Sequence, residues 1–188
     1  SIDADSVNHF FVTDYGRETG YTDRTVEFRD NQGPLVRLNQ LADNGVNGMR
    51  VRGTTMKTQG VWDDTDIVHV VTDVVNSIEF HTYGGIRLES SPTESLVVKL
   101  GANGGFTAAG RALDINDRIG GMLHIVGQPG FPVILTSLAD DTVGAGFQPN
   151  GLPQVDTNGN GPSTGSPGDW RSIRFDIFQN DRNVDVVL

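Results

Sequence analysis

Apolar residues along this chain fall into short runs of alternating or β-branched side chains, broken every few positions by glycine, proline, aspartate or asparagine. Runs of that length, punctuated in that way, predict strands joined by tight turns. They lie at Thr25 to Phe28, Met49 to Arg52, Ile67 to Val71, Ser77 to Phe80, Ile86 to Glu89, Leu96 to Leu100, Met122 to Val126, Pro132 to Thr136, Arg171 to Phe175 and Val184 to Val187. Amphipathic helix has almost no room, and its best candidate, Val36 to Ala42, is only about two turns long.

Four of these strands share one pattern: an apolar residue, a basic one and a second apolar one. They are Met49-Arg50-Val51, Ile86-Arg87-Leu88, Leu123-His124-Ile125 and Ile173-Arg174-Phe175. The first three begin 37 residues apart, and the fourth follows after 50, which is 37 plus 13. A strand repeated at constant spacing points to stacked units, each covering the open face of its neighbour. The expected fold is therefore all-β, a right-handed parallel β-helix (β-solenoid) with a long acidic loop excursion; a β-sandwich is the alternative. Because side chains alternate along a strand, Arg50, Arg87, His124 and Arg174 are expected to form one outward row.

Residues 1–45 lack the pattern and read as irregular N-terminal rungs or a cap, while 46–188 read as solenoid rungs with the excursion at 138–170. That excursion holds the 13 extra residues and the longest polar stretch, which makes it the first place to look for a site.

Composition narrows the partners. The 188 residues carry 14 Lys and Arg against 24 Asp and Glu, a formal charge of −10, which repels nucleic acid and anionic membranes and favours cations. With no cysteine, disulfides, thiolate metal sites and cysteine nucleophiles are excluded. No run is long and apolar enough for a membrane helix, so no insertion is expected. The start at Ser1 lacks a signal peptide's basic and apolar regions, as in a processed or excised piece of something longer.

Two acidic stretches could carry chemistry. Asp156-Thr157-Asn158-Gly159-Asn160-Gly161 matches the first half of a calcium loop, in which alternate oxygen side chains wrap a hard cation around a glycine-permitted turn. Pro167 stands where the closing glutamate belongs, so a regular EF-hand is excluded. A looser calcium cage of Asp156, Asn158 and Asn160 remains, completed by Asp140 and Asp141 if the excursion folds back on its base. The plainer alternative is a loop rich in Asx turns, with the same side chains accepting from backbone N–H groups. Asp63, Asp64 and Asp66 form the second cluster, read as a solvated turn, a metal site or a general acid and base acting on a sugar.

The histidines, His9, His69, His81 and His124, show no metal-ligand spacing, and no phosphate-binding glycine motif occurs. Gly161-Pro162-Ser163-Thr164-Gly165 spells a nucleophile elbow, but its flanks are loop, so the match reads as chance. Tyr83, Phe106, Phe147 and Trp170 are candidate sugar-stacking aromatics, with Trp170 better placed as a rung-end plug.

From Gly120 to Val184 the chain runs through GGMLHIVGQPGFPVILTSLADDTVGAG, DTNGNG, PGDWRSIRFD and NDRNV. This stretch resembles a rung-and-loop module of large secreted multidomain bacterial proteins of the planctomycete and cyanobacterial type, with a weaker echo in VWDDTDIVHVV and GGIRLESS. Val133, Leu135, Thr136 and Ser137 match that module's strand, Asp140 to Thr142 its acidic turn and Pro167 to Trp170 its return. Asn160 replaces an aspartate usual in its loop. The resemblance implies a β-helix within a larger exported chain at the cell surface or outside the cell.

The leading expectation is a noncatalytic structural, adhesion or binding module that holds polysaccharide, matrix polymer or neighbouring subunits. The alternative is a carbohydrate-active enzyme, a lyase or hydrolase, with Asp63, Asp64, Asp66, Asp140 and Asp141 as acids and Arg87 or Arg174 steadying a substrate carboxylate. A third is a subunit of a larger assembly, since NDRNVDVVL ends in an uncapped strand that invites pairing.

Overall fold

The computed structural model describes residues 1–4, 12–14, 17–19, 36, 38–57, 59–78, 85–110, 121–177 and 179. Among them the chain is nearly all β, without helix. A five-stranded sheet is built from β1 (Ile2–Asp3), β4 (Met49–Arg52), β6 (His69–Val71), β9 (Leu96–Leu100) and β12 (Val133–Ser137), in that order. A three-stranded sheet holds β7 (Val74–Ser77), β10 (Gly105–Ala108) and β13 (Ser172–Phe175), and another holds β5 (Gln59–Trp62), β8 (Gly85–Glu89) and β11 (Met122–Val126). Every pair in these three sheets is parallel; β2 (Val12–Asp14) and β3 (Arg17–Thr19) form an antiparallel ladder. Parallel pairing throughout does not fit the antiparallel sheets of a β-sandwich.

The chain visits the sheets in turn. After β4 it passes Thr55, which bridges Asn76 of β7, and then enters β5. It continues through β6, β7 and β8, then β9, β10 and β11, each trio leaving one strand in each sheet. Inward positions of all three sheets meet in one apolar cluster: Val51, Val71, Val98 and Leu100 from the first, Val75, Phe106 and Ala108 from the second, and Trp62, Ile86, Leu88 and Leu123 from the third. Burying each large aliphatic or aromatic side chain contributes roughly 1.5–3 kcal/mol, so this shared core holds the sheets together.

The 37-residue spacing is real at two places, where Ile86 lies beside Leu123 and Leu96 beside Val133. It is not the step of the whole stack. Met49 pairs with His69 rather than with Ile86, because the link between β4 and β6 is shorter than the later ones. The single basic row is therefore overturned. Arg87 and His124 are lateral partners, but Arg50 sits beside Val70 on the five-stranded sheet and Arg174 beside Thr107 on a third face.

Six predicted strands, at 49–52, 86–89, 96–100, 122–126, 132–136 and 171–175, match β4, β8, β9, β11, β12 and β13 to within a residue. Those at 67–71 and 77–80 overlap β6 and β7. The expected strands at 25–28 and 184–187 lie outside the described residues, as do His9, His81 and Tyr83. The short stretch Val36 to Ala42, the best of the few helix candidates, is not helical at its described residues. Leu38 takes a left-handed φ of 52°, which breaks a right-handed helix, and Gln40 bridges Phe147 instead. Phe106 is a core residue rather than an exposed platform.

Within the core, the Trp62 ring stacks on His69 with centroids 5.4 Å apart and planes 13° apart, and meets Phe106 edge-on at 5.8 Å. Among the described residues neither imidazole nitrogen has a hydrogen-bond partner of good geometry. Burial lowers the His69 pKa from 6.5 to about 4, with the Ile67 main chain opposing. The unfolded chain thus gains a proton as pH falls through 6.5, while the folded chain stays neutral until about 4. Stability complete above 6.5 is expected to fall by about 3 kcal/mol as pH drops to 4. Urea titrations across that range check it, and His69→Phe should flatten this part of the profile.

Candidate functional site

β9 is buried at all five positions, LVVKL, which means that both of its faces are covered. Leu96, Val98 and Leu100 enter the shared core, so Val97 and Lys99 point the other way. What covers them is the chain between β12 and β13. Leu138, Val143 and Ala145 pack with Val46 and Ile134 on Val68, Val70 and Val97, forming a second, smaller apolar cluster outside the sheet.

The covering segment is a double layer whose two arms touch through backbone. A Cβ on Gly144 would stand 1.9 Å from the Gln154 carbonyl oxygen, so only glycine allows the arms to close. Asn47 ties the outer arm to the strand entry, its N–H donating to the Thr157 carbonyl at 2.7 Å and its side-chain amide to Asp156 O at 3.3 Å.

Beneath these arms lies Lys99, its side chain wholly buried. Its Nζ donates to the Val155 carbonyl at 2.6 Å and stands 3.7 Å from Asp141 Oδ1, an oxygen with no hydrogen bond among the described residues. Burial depresses the lysine pKa, and the charges of Asp141, then Asp140, then Asp156 oppose that shift. Three of the acidic residues singled out in the sequence thus converge, and the cation they face is an ammonium belonging to the same chain.

Their other bonds are local. Asp141 Oδ2 accepts from the Ser163 N–H at 2.9 Å, which folds the end of the excursion back on its base. Asp140 accepts from Thr136 Oγ1 at 2.6 Å and from the N–H and hydroxyl of Thr142 at 3.0 and 2.6 Å. The Thr136 bond first, and the Thr142 hydroxyl next, hold its carboxyl below the usual carboxylate range. Asp156 receives the N–H groups of Gly159 and Gly161 at 2.8 and 2.9 Å, and Asn158 receives that of Asn160 at 3.3 Å. These are Asx-turn contacts, with the oxygens of the calcium-like motif engaged by backbone donors. Asn160 Oδ1 accepts from Ser163 Oγ at 3.3 Å. Such a donor set, facing a lysine, does not fit a calcium ion as it stands.

A cleft of about 340 Å³ opens beside Asp140, lined by Thr136, Ser137, Thr142, Ser166 and Trp170 among others. Its rim is fixed by Asp169, which accepts from the Ser166 N–H and from Ser137 Oγ, both at 2.7 Å; those bonds, in that order, lower its pKa. Trp170 is partly buried against the main core, as a plug would be.

The second acidic cluster stands apart in role. Asp66 accepts from the Leu38 N–H, and its carbonyl lies against Gly146, whose left-handed φ of 79° and crowded Cβ position both require glycine. Thr65 Oγ1 donates to Glu94 at 2.7 Å, Asp64 is buried, and Asp63 and Asp64 both have partners. Arg87 and Arg174 hold Glu89 and Asp176. Ser163, in the elbow-like string, contacts Asp141 and Ala139. Lys99, missed as a site residue, had one signal: a charge inside an apolar strand whose outward Val97 already implied a covered face.

Lys99→Met strands Asp141 as a buried charge, and removing one partner of such a pair costs about 3–5 kcal/mol. Urea unfolding should register that loss, limited proteolysis should cut first between residues 143 and 165, and Lys99→Met with Asp141→Asn should recover part of the stability. Comparison of the chain with protein-family models, with curated proteins and with solved structures yields no match, and the functional reading rests on this geometry.

Proposed function

We propose that the chain is a right-handed parallel β-helix module of a large extracellular or cell-surface protein. In this reading it is a noncatalytic structural or adhesion part that holds a polysaccharide, a matrix polymer or a neighbouring subunit along its strand-lined faces. The observation that carries the reading is the regular rotation of the chain through three parallel sheets around one core. Right-handedness follows from the strong preference of parallel crossovers for that hand. Pairing of β1 with β4 supports the N-terminal part, within 1–45, as an outer rung.

A noncatalytic role is supported by how the acidic side chains are spent. Asp140 is held by Thr136 and Thr142, and Asp141 by Ser163 beside Lys99, so each serves the fold before any substrate. Calcium on the Asp156 loop would have to displace both the backbone donors and the lysine charge. No rise in melting temperature is therefore expected when calcium replaces a chelator, and a rise of several degrees would restore the metal cage.

The stack itself is tested by crosslinking. Arg87→Cys with His124→Cys places thiols on lateral partners, whose backbone separation suits a disulfide. Mild oxidation should join them in the folded chain, whereas Arg50→Cys with Arg87→Cys should stay reduced. The noncatalytic assignment fails if the protein releases new reducing or unsaturated ends from a panel of acidic and neutral polysaccharides, and if Asp140→Asn abolishes that release.

A further inference from the structure

The outer face of the β7, β10 and β13 sheet carries a line of polar side chains. Thr55, Asn76, Thr107 and Arg174 are consecutive lateral partners, a hydroxyl, an amide, a hydroxyl and a guanidinium on successive strands. Strands in a sheet lie about 4.8 Å apart, so the line offers a donor at each step. The adjacent positions Val75, Phe106 and Ile173 point into the core, which fixes this row outward. A cleft of about 450 Å³ runs over the row, lined by Val74, Asn76, Thr107, Arg171, Ser172 and Arg174.

The arginines distinguish this cleft. On a chain of net charge −10, three of the arginines among the described residues hold carboxylates, Arg52 on Asp3, Arg87 on Glu89 and Arg174 on Asp176, while Arg50 bonds the Thr72 hydroxyl. Arg171 holds no side chain among the described residues; only its main-chain N–H is engaged, on the Gly104 carbonyl at 3.0 Å. Arg174 gives its Nε to Asp176, at 2.7 Å, and among the described residues its terminal nitrogens hold no other side chain. Both guanidinium groups line the one cleft, beside neutral hydroxyl and amide donors. A guanidinium binds a carboxylate through two parallel hydrogen bonds, and hydroxyl and amide groups suit a polyhydroxylated chain.

We infer that this cleft binds a uronic-acid-containing oligosaccharide, Arg171 taking a sugar carboxylate, Arg174 assisting, and Asn76 and Thr107 bonding ring hydroxyls. The inference deepens the binding reading above and rests on the same stacked sheets. Acidic segments elsewhere on the chain would keep such a ligand confined to this face and make its affinity fall with salt.

The test titrates oligogalacturonate of defined length into the full chain at low salt, read by calorimetry and by amide NMR shifts. Binding should move the signals of Asn76, Thr107 and Ser172 and weaken as salt is added. Arg171→Gln should lower affinity about tenfold, and Arg174→Gln less. Arg171 is exposed and its fold contact is made by the main chain, so the variant should keep the parent's melting temperature. Undiminished binding by Arg171→Gln, or no binding by the parent chain, overturns the inference. Equal binding of the carboxyl-reduced oligosaccharide overturns the anionic assignment and leaves the module reading standing. Tighter binding of a polyglutamate peptide would overturn the sugar as ligand. The stacked arrangement fails separately, through the Arg87→Cys and His124→Cys pair.

Discussion

Parallel pairing is the constraint on which the rest of this structure depends. A parallel strand cannot return through a tight hairpin, so each strand must be followed by a passage elsewhere before its neighbour is laid down. Here that passage is made by strands of two other sheets, and the inward side chains of all three fill one core. Such an arrangement makes cross-strand register the carrier of position. A residue's face, and its neighbours one layer up and down, follow from its strand partner rather than from its distance along the sequence.

That distinction explains what could be read from the sequence. Leu96 to Leu100 and Met122 to Val126 were legible because short apolar runs with β-branched residues, ended by Gly101 and Gly127, have few other options. Gln59–Trp62 and Gly105–Ala108 were not, since each offers one or two large apolar residues among glycine, alanine and polar positions, and becomes a strand only through pairing with formed neighbours. The 37-residue spacing held where two links are equal in length and failed at Met49, where the link to the next layer is shorter. Sequence spacing measures chain, and chain is taken up unevenly at corners.

The acidic loop teaches a related point about sites. Asp140, Asp141 and Asp156 were recognisable as a group that wants positive charge, on the condition that the excursion folds back on its base. The source of that charge was not legible, because Lys99 lies some forty residues away in an apolar strand, and only the pairing of β9 with β12 brings it beneath the loop. A carboxylate cluster reports that a cation is wanted; whether metal or ammonium answers depends on contacts across the sheet. Arg171 presents the opposite case, a cation whose counter-charge is not supplied by the described residues around it.

The passage from β9 to β10 takes only Gly101 to Gly104, whereas the equivalent passage from β12 to β13 takes residues 138–171. A corner that can be turned in four residues is one where chain length is free to grow without disturbing the layers. With the covering segment lying across the sheet, however, Val70 and Val97 are apolar and Lys99 is buried beneath it. Those residues tie a corner of free length to one particular length, so shortening it to its minimal form would expose a greasy face and uncover a buried ammonium.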